Sequence, residues 1–387
     1  MADGDETQGA DIQFAYRGVH RSAAIQRAES TLSGMNGRPE AARAWAALLD
    51  LIYADRFTDV SAHCDRIVRE GRPSRSMLQV ITLVRARVAS LTGDTDAAVA
   101  DMKVLLAEGV PAALHGRTVA WLVAALVQAG DTEQAYRLVL GDRAAPIETL
   151  SDRAHVLAAR GALYLAGGRI ERSLADYLEC GRVLTTLNVT NPAVIPWRSR
   201  AALVALALDR TDLATALAEE ELAAARRWGS PGAVGCALHA LGMALRDHRS
   251  TELLERSVEL LELVNARHEL VPTLCDLGLL YAERGDTAGA RATLAAAADA
   301  VAGNTAWSRR IETVLSMIGD RRHTLELTRQ ERKIAGLARD GHRNKAIAEI
   351  MFLTVRTVEF HLSNVYRKLG ISGRHELHEA MTTRSCA

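Results

Sequence analysis

Apolar residues recur along most of the chain at the spacing of amphipathic helices. From about residue 40 to residue 318, stretches with this pattern alternate with short polar junctions. Such spacing places the apolar side chains on one face of each helix. The sequence has no runs of β-branched residues and no alternation of strand and helix patterns. The pattern therefore predicts an all-α protein.

The junctions between these helices share one chemistry. Their clearest form is Gly-Asp-Thr, which occurs at residues 93–95, 130–132 and 285–287. Glycine ends one helix in a left-handed conformation, and Asp or Thr caps the next helix. The weaker copies of the junction begin at Gly168, Asp209 and Asp247, with a degenerate copy at Asp55. The unit therefore recurs about every 38 residues.

One copy of this unit, residues 277–286, resembles the first helix and turn of a tetratricopeptide repeat. The period is longer than the usual ~34 residues, so we describe residues 21–318 as a tetratricopeptide-like array. Stacked helical hairpins form a superhelix with a concave face, which favours binding of a protein or small-molecule effector. A role as a spacer or a dimer arm is the alternative. Pro192, Pro196 and Trp197 mark a loop that is either a lip of the groove or a long connection between repeats.

The two ends of the chain differ from the array. Residues 1–20 are rich in Gly, Asp, Glu, Thr and Gln, which indicates disorder. Residues 319–326 form a short polar linker, after which Thr328 and Glu331 have the spacing of a capping box. The pattern then predicts a C-terminal domain, residues 327–387, with four helices at about 328–339, 343–350, 355–369 and 373–382.

The third of these helices has two contrasting faces. Thr354 provides an N-cap and Gly370 a left-handed end. A helical wheel places one stripe of core residues together, namely Val358, Leu362, Val365 and Leu369. The opposite face carries Arg356, Phe360, Ser363 and Arg367. Arginine, a small hydroxyl and an apolar ring on one outward face suit the major groove of DNA, where they can contact guanine edges, phosphates and thymine methyl groups.

The C-terminal domain resembles the LuxR-type helix-turn-helix domain, also called GerE-like. The matching residues are Leu327, Thr328, Glu331, Ile334, Ala335, Gly341, Asn344, Lys345, Ile347, Ala348, Leu353, Thr354, Thr357, Val358, His361, Asn364, Val365, Lys368, Leu369, Gly370 and Arg374. The departures are Thr354 in place of the usual Ser and Met351 in place of the usual Leu. Both replacements keep the chemistry of the position.

This resemblance implies a DNA-binding transcriptional regulator, and it assigns base-reading positions to Glu359, Phe360 and Ser363. The residues suited to phosphates are Asn344, Lys345, Thr357, His361, Asn364 and Lys368. Thr354 is a cap that can also contact a phosphate. The alternatives are a packed histidine at position 361 and a hydroxyl that supports the first helical turn at position 357.

The resemblance also implies partners. They are double-stranded promoter DNA, a second copy of the chain in a homodimer, and RNA polymerase. A dimer is expected because one such module gives too little affinity by itself. Regulators of this type more often activate than repress transcription.

Composition supports two or more structural units in a cytoplasmic protein. The chain has 387 residues and no net charge, which argues against general polyanion binding. Three of its four lysines nevertheless lie at positions 333, 345 and 368. The five cysteines are scattered and form no Cys-x-x-Cys pair, as expected for a reduced protein. The polar N-terminus and the apolar runs predict neither a signal peptide nor a membrane span.

The sequence lacks the usual marks of an enzyme. It has no phosphate-binding Gly-x-x-x-x-Gly-Lys loop, although the architecture resembles the C-terminal portion of large MalT-like regulators, which carry an NTPase module. Residues 375–378 mimic a zinc-protease motif with the wrong histidine spacing. We therefore expect no catalytic residues, metal or cofactor. The alternative to a regulator is an interaction scaffold with a vestigial helix-turn-helix.

The assignment of the groove-facing residues can be tested by substitution. We expect Phe360→Ala and Ser363→Ala to change which DNA sequence is bound, because base contacts carry specificity. Lys368→Ala should weaken binding to all sequences, because a phosphate contact is blind to sequence. Titrations against a panel of DNA fragments check this, and an equal loss on every fragment for all three variants would contradict it.

Overall fold

The computed structural model describes residues 13–35, 40–71, 73–141, 149–301, 305–319, 327, 329–351, 353–369, 371–377 and 380. Within these residues the chain is all-α, and no β-strand occurs. The helices of the array are α1 (Gln13–Arg17), α2 (Arg21–Ser33), α3 (Ala41–Tyr53), α4 (Phe57–Glu70), α5 (Arg75–Thr92), α6 (Thr95–Glu108), α7 (Ala112–Ala129), α8 (Thr132–Leu140), α9 (Leu150–Ala166), α10 (Ile170–Thr186), α11 (Trp197–Leu206), α12 (Thr211–Trp228), α13 (Pro231–Leu245), α14 (Arg249–Leu263), α15 (Arg267–Glu283), α16 (Thr287–Ala300) and α17 (Thr305–Gly319).

The C-terminal domain contributes three further helices and a short 3₁₀ turn. They are α18 (Arg329–Arg339), α19 (Asn344–Met351), α20 (Val355–Leu369) and the turn Arg374–Glu376. The first three agree with the predicted elements to within about one residue. The predicted fourth helix begins as the 3₁₀ turn, and part of its range lies outside the described residues, as do Thr328 of the predicted capping box and residues 320–326 of the predicted linker.

The Gly-Asp-Thr junctions form as their chemistry predicts. Gly93, Gly130 and Gly285 all adopt positive φ angles, between 83° and 100°. The following Asp side chain then accepts a hydrogen bond from a backbone N–H in the first turn of the next helix, as Asp131 does from Gln134 N at 3.0 Å. Three of the weaker junctions use the same left-handed turn with Asp55, Gly168 or Asp209 at the positive φ. Local backbone chemistry thus sets the helix boundaries.

Sequential helices pack against one another, and small residues allow the close approaches. Gly181 on α10 lies against the Trp197 ring, so that a Cβ atom there would come within 2.6 Å of three ring carbons.

The apolar helix α7 meets the length and composition of a membrane span, but Trp121, Leu122 and Val123 are among its residues buried in the array. It is the core helix of a hairpin stack. Four cysteines are buried free thiols, and Cys386 lies outside the described residues.

The N-terminal boundary differs from the sequence prediction. Residues 1–20 were expected to be disordered, but α1 is helical and Gly18 closes its turn. The loop before α11 holds this segment, because Asn191 Nδ2 donates to Ala15 O at 2.6 Å and Thr190 Oγ1 donates to Arg17 O at 2.8 Å. Because these hydrogen-bond partners lie far apart in the sequence, no local sequence pattern predicts that this segment is ordered.

Substitution of Gly181 tests the packing between α10 and α11. We expect Gly181→Ala to destabilise the array by about 1–3 kcal/mol, the usual cost of overpacking. Gly336→Ala is the control, because a Cβ atom at this helical glycine meets no atom within 4 Å. It should be neutral or stabilising by about 0.5–1 kcal/mol. Thermal denaturation followed by circular dichroism measures both, and similar midpoints for the two variants would refute the packing argument.

Candidate DNA-binding surface

The turn between α19 and α20 is fixed by a side-chain cap. Thr354 Oγ1 accepts a hydrogen bond from Thr357 N at 3.1 Å, and it lies 2.7 Å from Thr357 Oγ1. The predicted N-cap is therefore present. The Thr357 hydroxyl supports the first turn of α20, which was the alternative interpretation of this residue.

The inner face of α20 forms the core of the C-terminal domain. Val358, Leu362 and Val365 are almost completely buried, as the helical wheel predicts. Val358 and Leu362 join a cluster with Ile334 of α18 and Ile347 of α19. Helices α18 and α19 thereby hold α20 in one orientation.

Arg374 fixes the entry to α19. Its Nε and Nη2 atoms each donate to Ala338 O at 3.2 Å, and Nη2 also donates to His342 O. Nη1 lies 3.3 Å from Asn344 Oδ1, so the predicted phosphate-binding amide is oriented by this arginine. The sequence placed Arg374 among the family matches but did not show this bracing role.

Three of the residues assigned to phosphate contacts have side chains that are buried inside the C-terminal domain. Lys368 Nζ forms a 2.7 Å ion pair with Glu331, and each side chain is only 7% exposed. His361 and Asn364 are also buried. Burial lowers the pKa of His361, which favours the neutral imidazole. For His361 this placement agrees with the packed alternative, and the DNA-binding roles of all three residues remain predictions.

The outward face of α20 does not meet solvent along its whole length. Phe360 is 1% exposed and belongs to a buried cluster with residues of the array, including Leu274 and Ile311. Ser363, by contrast, is exposed. The structure does not describe the side chain of Arg367. The apolar ring that was predicted to face the DNA groove is thus covered by the repeat array.

Three ion pairs also join the array to the C-terminal domain. Arg356 Nη2 lies 3.4 Å from Glu283, and Glu359 accepts from Arg246 at 3.0 Å. Lys345 pairs with Glu171. The C-terminal members of all three pairs were predicted to bind DNA. The array therefore contacts four of the predicted DNA-binding residues.

A cavity of about 1320 Å³ adjoins this contact. The array lines one part of it, and Val355, Arg356, Thr357 and Glu359 of α20 line another. His239 on α13 lies within it and contacts Asp276 Oδ2 at 2.8 Å. Burial by itself would raise the pKa of Asp276, but the hydrogen bond to His239 and nearby positive charges outweigh it and lower the pKa. The carboxylate is therefore ionised at the cavity wall.

Comparisons with known proteins identify the type of the C-terminal domain. Residues 325–381 match the family model of the bacterial regulatory proteins of the luxR family. The C-terminal domain is a LuxR-type helix-turn-helix domain. A domain of this type points to DNA binding and transcription regulation.

Two mycobacterial proteins bear the name "Putative HTH-type transcriptional regulator", one from Mycobacterium bovis and one from Mycobacterium tuberculosis. Each is 45% identical to this chain over 51 residues, which make up 13% of the chain and 6% of the relative. The match thus spans a small part of these relatives and lies within one domain's length. It carries no information on the rest of either protein.

The chain also resembles a solved structure in its fold. A Rap protein complexed with competence and sporulation factor superposes with a TM-score of 0.50 at 12% identity, covering 88% of this chain and 99% of the other. At this identity the likeness concerns the fold. It confirms the tetratricopeptide-like helical architecture predicted from the junctions.

The buried Lys368–Glu331 pair predicts a stability effect separate from DNA binding. We expect Lys368→Met to destabilise the C-terminal domain by about 3–5 kcal/mol, because it removes the positive charge beside a buried carboxylate. Lys345→Met is the matched control, since the Lys345 side chain is 36% exposed. An exposed pair contributes about 0–1 kcal/mol.

Thermal denaturation of the two lysine variants measures this difference. Adding Glu331→Gln to Lys368→Met should recover part of the loss, because the two side chains are coupled. Equal melting curves for Lys368→Met and Lys345→Met would show that the buried pair does not stabilise the domain.

Proposed function

We propose that this chain is a sequence-specific transcriptional regulator whose repeat array covers its own recognition helix. The burial of Phe360 in the array carries this proposal. A recognition helix reads base edges by lying in the major groove. The same face of α20 cannot contact the array and DNA at once, so array docking and DNA binding compete.

The charges at the contact support this competition. Glu171 and Glu283 of the array pair with Lys345 and Arg356, two cations assigned to DNA contacts. The array carboxylates thereby pair with cations that would otherwise contact DNA phosphates. Arg246 pairs with Glu359, which was assigned to a base contact. Each of these three charged side chains of the C-terminal domain thus pairs with an opposite charge on the array.

The size of the contact suits a reversible switch. Burying one phenylalanine side chain contributes about 1.5–3 kcal/mol. Each partly exposed ion pair adds about 0–1 kcal/mol. The closed state is therefore favoured by a few kcal/mol, which is within reach of the differential binding energy of an effector. In this account an effector bound to the array releases the C-terminal domain.

The remaining features of the proposal follow from the family. The released domain acts as a homodimer, because two half-sites supply the affinity that one module lacks. The chain activates transcription in the cytoplasm and contacts RNA polymerase at the promoter. The mycobacterial relatives bear the name of transcriptional regulators, which is consistent with this role.

An interaction scaffold is the second candidate function. The observation that favours it is the same covered face, since a helix permanently held by the array would not need DNA. The two candidates differ in the salt dependence of binding. A DNA-binding regulator should lose affinity steeply as salt increases, because phosphate contacts release counterions.

Substitutions on the array side test the competition without altering the DNA-binding residues. We expect the double variant Arg246→Glu/Glu283→Arg to bind DNA about 5–20-fold more tightly than the unmodified chain. The exchange places like charges beside Glu359 and Arg356 and so weakens the closed state by about 1–2 kcal/mol, and 1.4 kcal/mol corresponds to tenfold in affinity. Fluorescence anisotropy with the chain's own upstream DNA at two salt concentrations measures the effect.

Arg256→Glu/Glu259→Arg is the matched control. This exposed pair on α14 is also exchanged without a change in net charge. The control should leave DNA affinity unchanged. Equal affinities for the two double variants would argue against array docking as the restraint, and salt-insensitive binding by both would favour the scaffold.

A further inference from the structure

One end of the cavity gathers several hydrogen-bond donors. Tyr53, Arg87, Trp121 and His155 all line it. The guanidinium carbon of Arg87 lies 5.1 Å from the centroid of the Trp121 ring. The rings of Trp121 and His155 meet edge to face at 6.3 Å. These four residues, here called the donor cluster, come from helices α3, α5, α7 and α9.

Two groups of the donor cluster are buried without a partner. Tyr53 and Trp121 are each 4% exposed. Neither Tyr53 Oη nor Trp121 Nε1 has a hydrogen-bond partner in the described part of the chain. Most buried polar groups in proteins are hydrogen-bonded. Two such donors in one cavity therefore indicate a ligand that supplies acceptor atoms.

Arg87 gives the donor cluster its charge. Among the described residues no carboxylate lies within ion-pair distance of it. The neighbouring arginines are paired, since Arg117 lies 3.6 Å from Asp152 and Arg200 contacts Glu269. Burial lowers the pKa of Arg87 to about 10, so its guanidinium is still charged at neutral pH.

His155 does not add a second charge. Burial lowers its pKa well below the usual value, and the positive charges of Arg117 and Arg87 act in the same direction. The imidazole is therefore neutral near pH 7. With one uncompensated positive charge the donor cluster matches a monoanion. A guanidinium fork binds a carboxylate through two parallel hydrogen bonds.

Apolar side chains also line the cavity, and the wall that they form includes Ala120, Ala159, Val194, Ile195 and Leu203. We propose that the cavity binds an organic ligand with one carboxylate group held by Arg87, Tyr53 and Trp121 and an apolar body along this wall. A short apolar peptide with a free C-terminus and a small fatty carboxylic acid share this chemistry.

If this ligand is the effector of the proposed regulator, the effector is an organic carboxylate. Val355, Arg356 and Thr357 of the docked helix line the same cavity, so a ligand that extends from the donor cluster approaches α20. Only this regulatory consequence rests on the proposed function. Binding itself is measured without DNA, so failure of the site and failure of the DNA switch can be told apart.

Isothermal titration calorimetry of the full chain tests the site with matched acid and amide probes. One pair is octanoate and octanamide. The other is a mixture of apolar hexapeptides made from Ala, Val, Leu and Phe, with either a free or an amidated C-terminus. We expect the carboxylate form of at least one pair to bind at least tenfold more tightly than its amide. The pair that shows the preference identifies the ligand source.

Arg87→Met and Arg85→Met provide the matched variants. Both arginines lie on α5, but Arg85 is exposed and pairs with Asp65. Arg87→Met should abolish the preference for the carboxylate, whereas Arg85→Met should retain it. Tyr53→Phe removes one hydroxyl with little change in packing and should weaken carboxylate binding several-fold, which keeps the test independent of the folding of Arg87→Met.

Two results would overturn the proposal. One is the absence of any carboxylate preference in both probe pairs. The other is a preference that persists unchanged in Arg87→Met and Tyr53→Phe, which would place the acid elsewhere on the chain.

Discussion

The structure depends on the burial of one aromatic side chain on the face of a helix that was expected to meet DNA. Phe360 joins the core of the last array hairpins and is 1% exposed. Leaving an isolated phenylalanine of a polar helix face in water costs free energy. The ring can be buried either against DNA bases in a groove or against another part of the protein. In the function that we propose, both partners compete for the same ring. Each ion pair between the array and the C-terminal domain contributes only about 0–1 kcal/mol, less than the burial of the ring.

Local features of the fold could be predicted from the sequence because their causes are local. The Gly-Asp-Thr junctions end and cap helices through residues adjacent to one another, and Thr354 caps α20 in the same way. The stripe of Val358, Leu362 and Val365 follows from helical periodicity. These interactions need no knowledge of the tertiary structure.

The features that escaped prediction join segments far apart in the chain. The loop at Thr190 and Asn191 orders the N-terminal helix, and Arg374 braces Asn344. Lysine at position 368 is as compatible with a phosphate contact as with a buried ion pair, and charge patterning cannot separate the two. The docking of Phe360 had one sequence signal, an apolar residue between arginines, which supported the DNA interpretation equally well.

The cavity is lined both by the array and by the recognition helix α20. Its donor cluster lies on the early array helices, whereas α20 forms another part of its wall. In our proposal a ligand that fills it acts on a contact worth only a few kcal/mol, so a modest difference in affinity between closed and open states is sufficient to shift the population.

Pulsed electron–electron spin resonance tests the closed-to-open transition most directly. Spin labels at Leu263→Cys on α14 and Ile350→Cys on α19, both exposed positions, report the separation of array and C-terminal domain when Cys386 is replaced by Ser. The account predicts one narrow distance distribution in the free chain. Addition of the tightest-binding DNA fragment should shift it to longer and broader distances. An unchanged distribution with DNA bound would contradict the claim that the array covers the recognition helix.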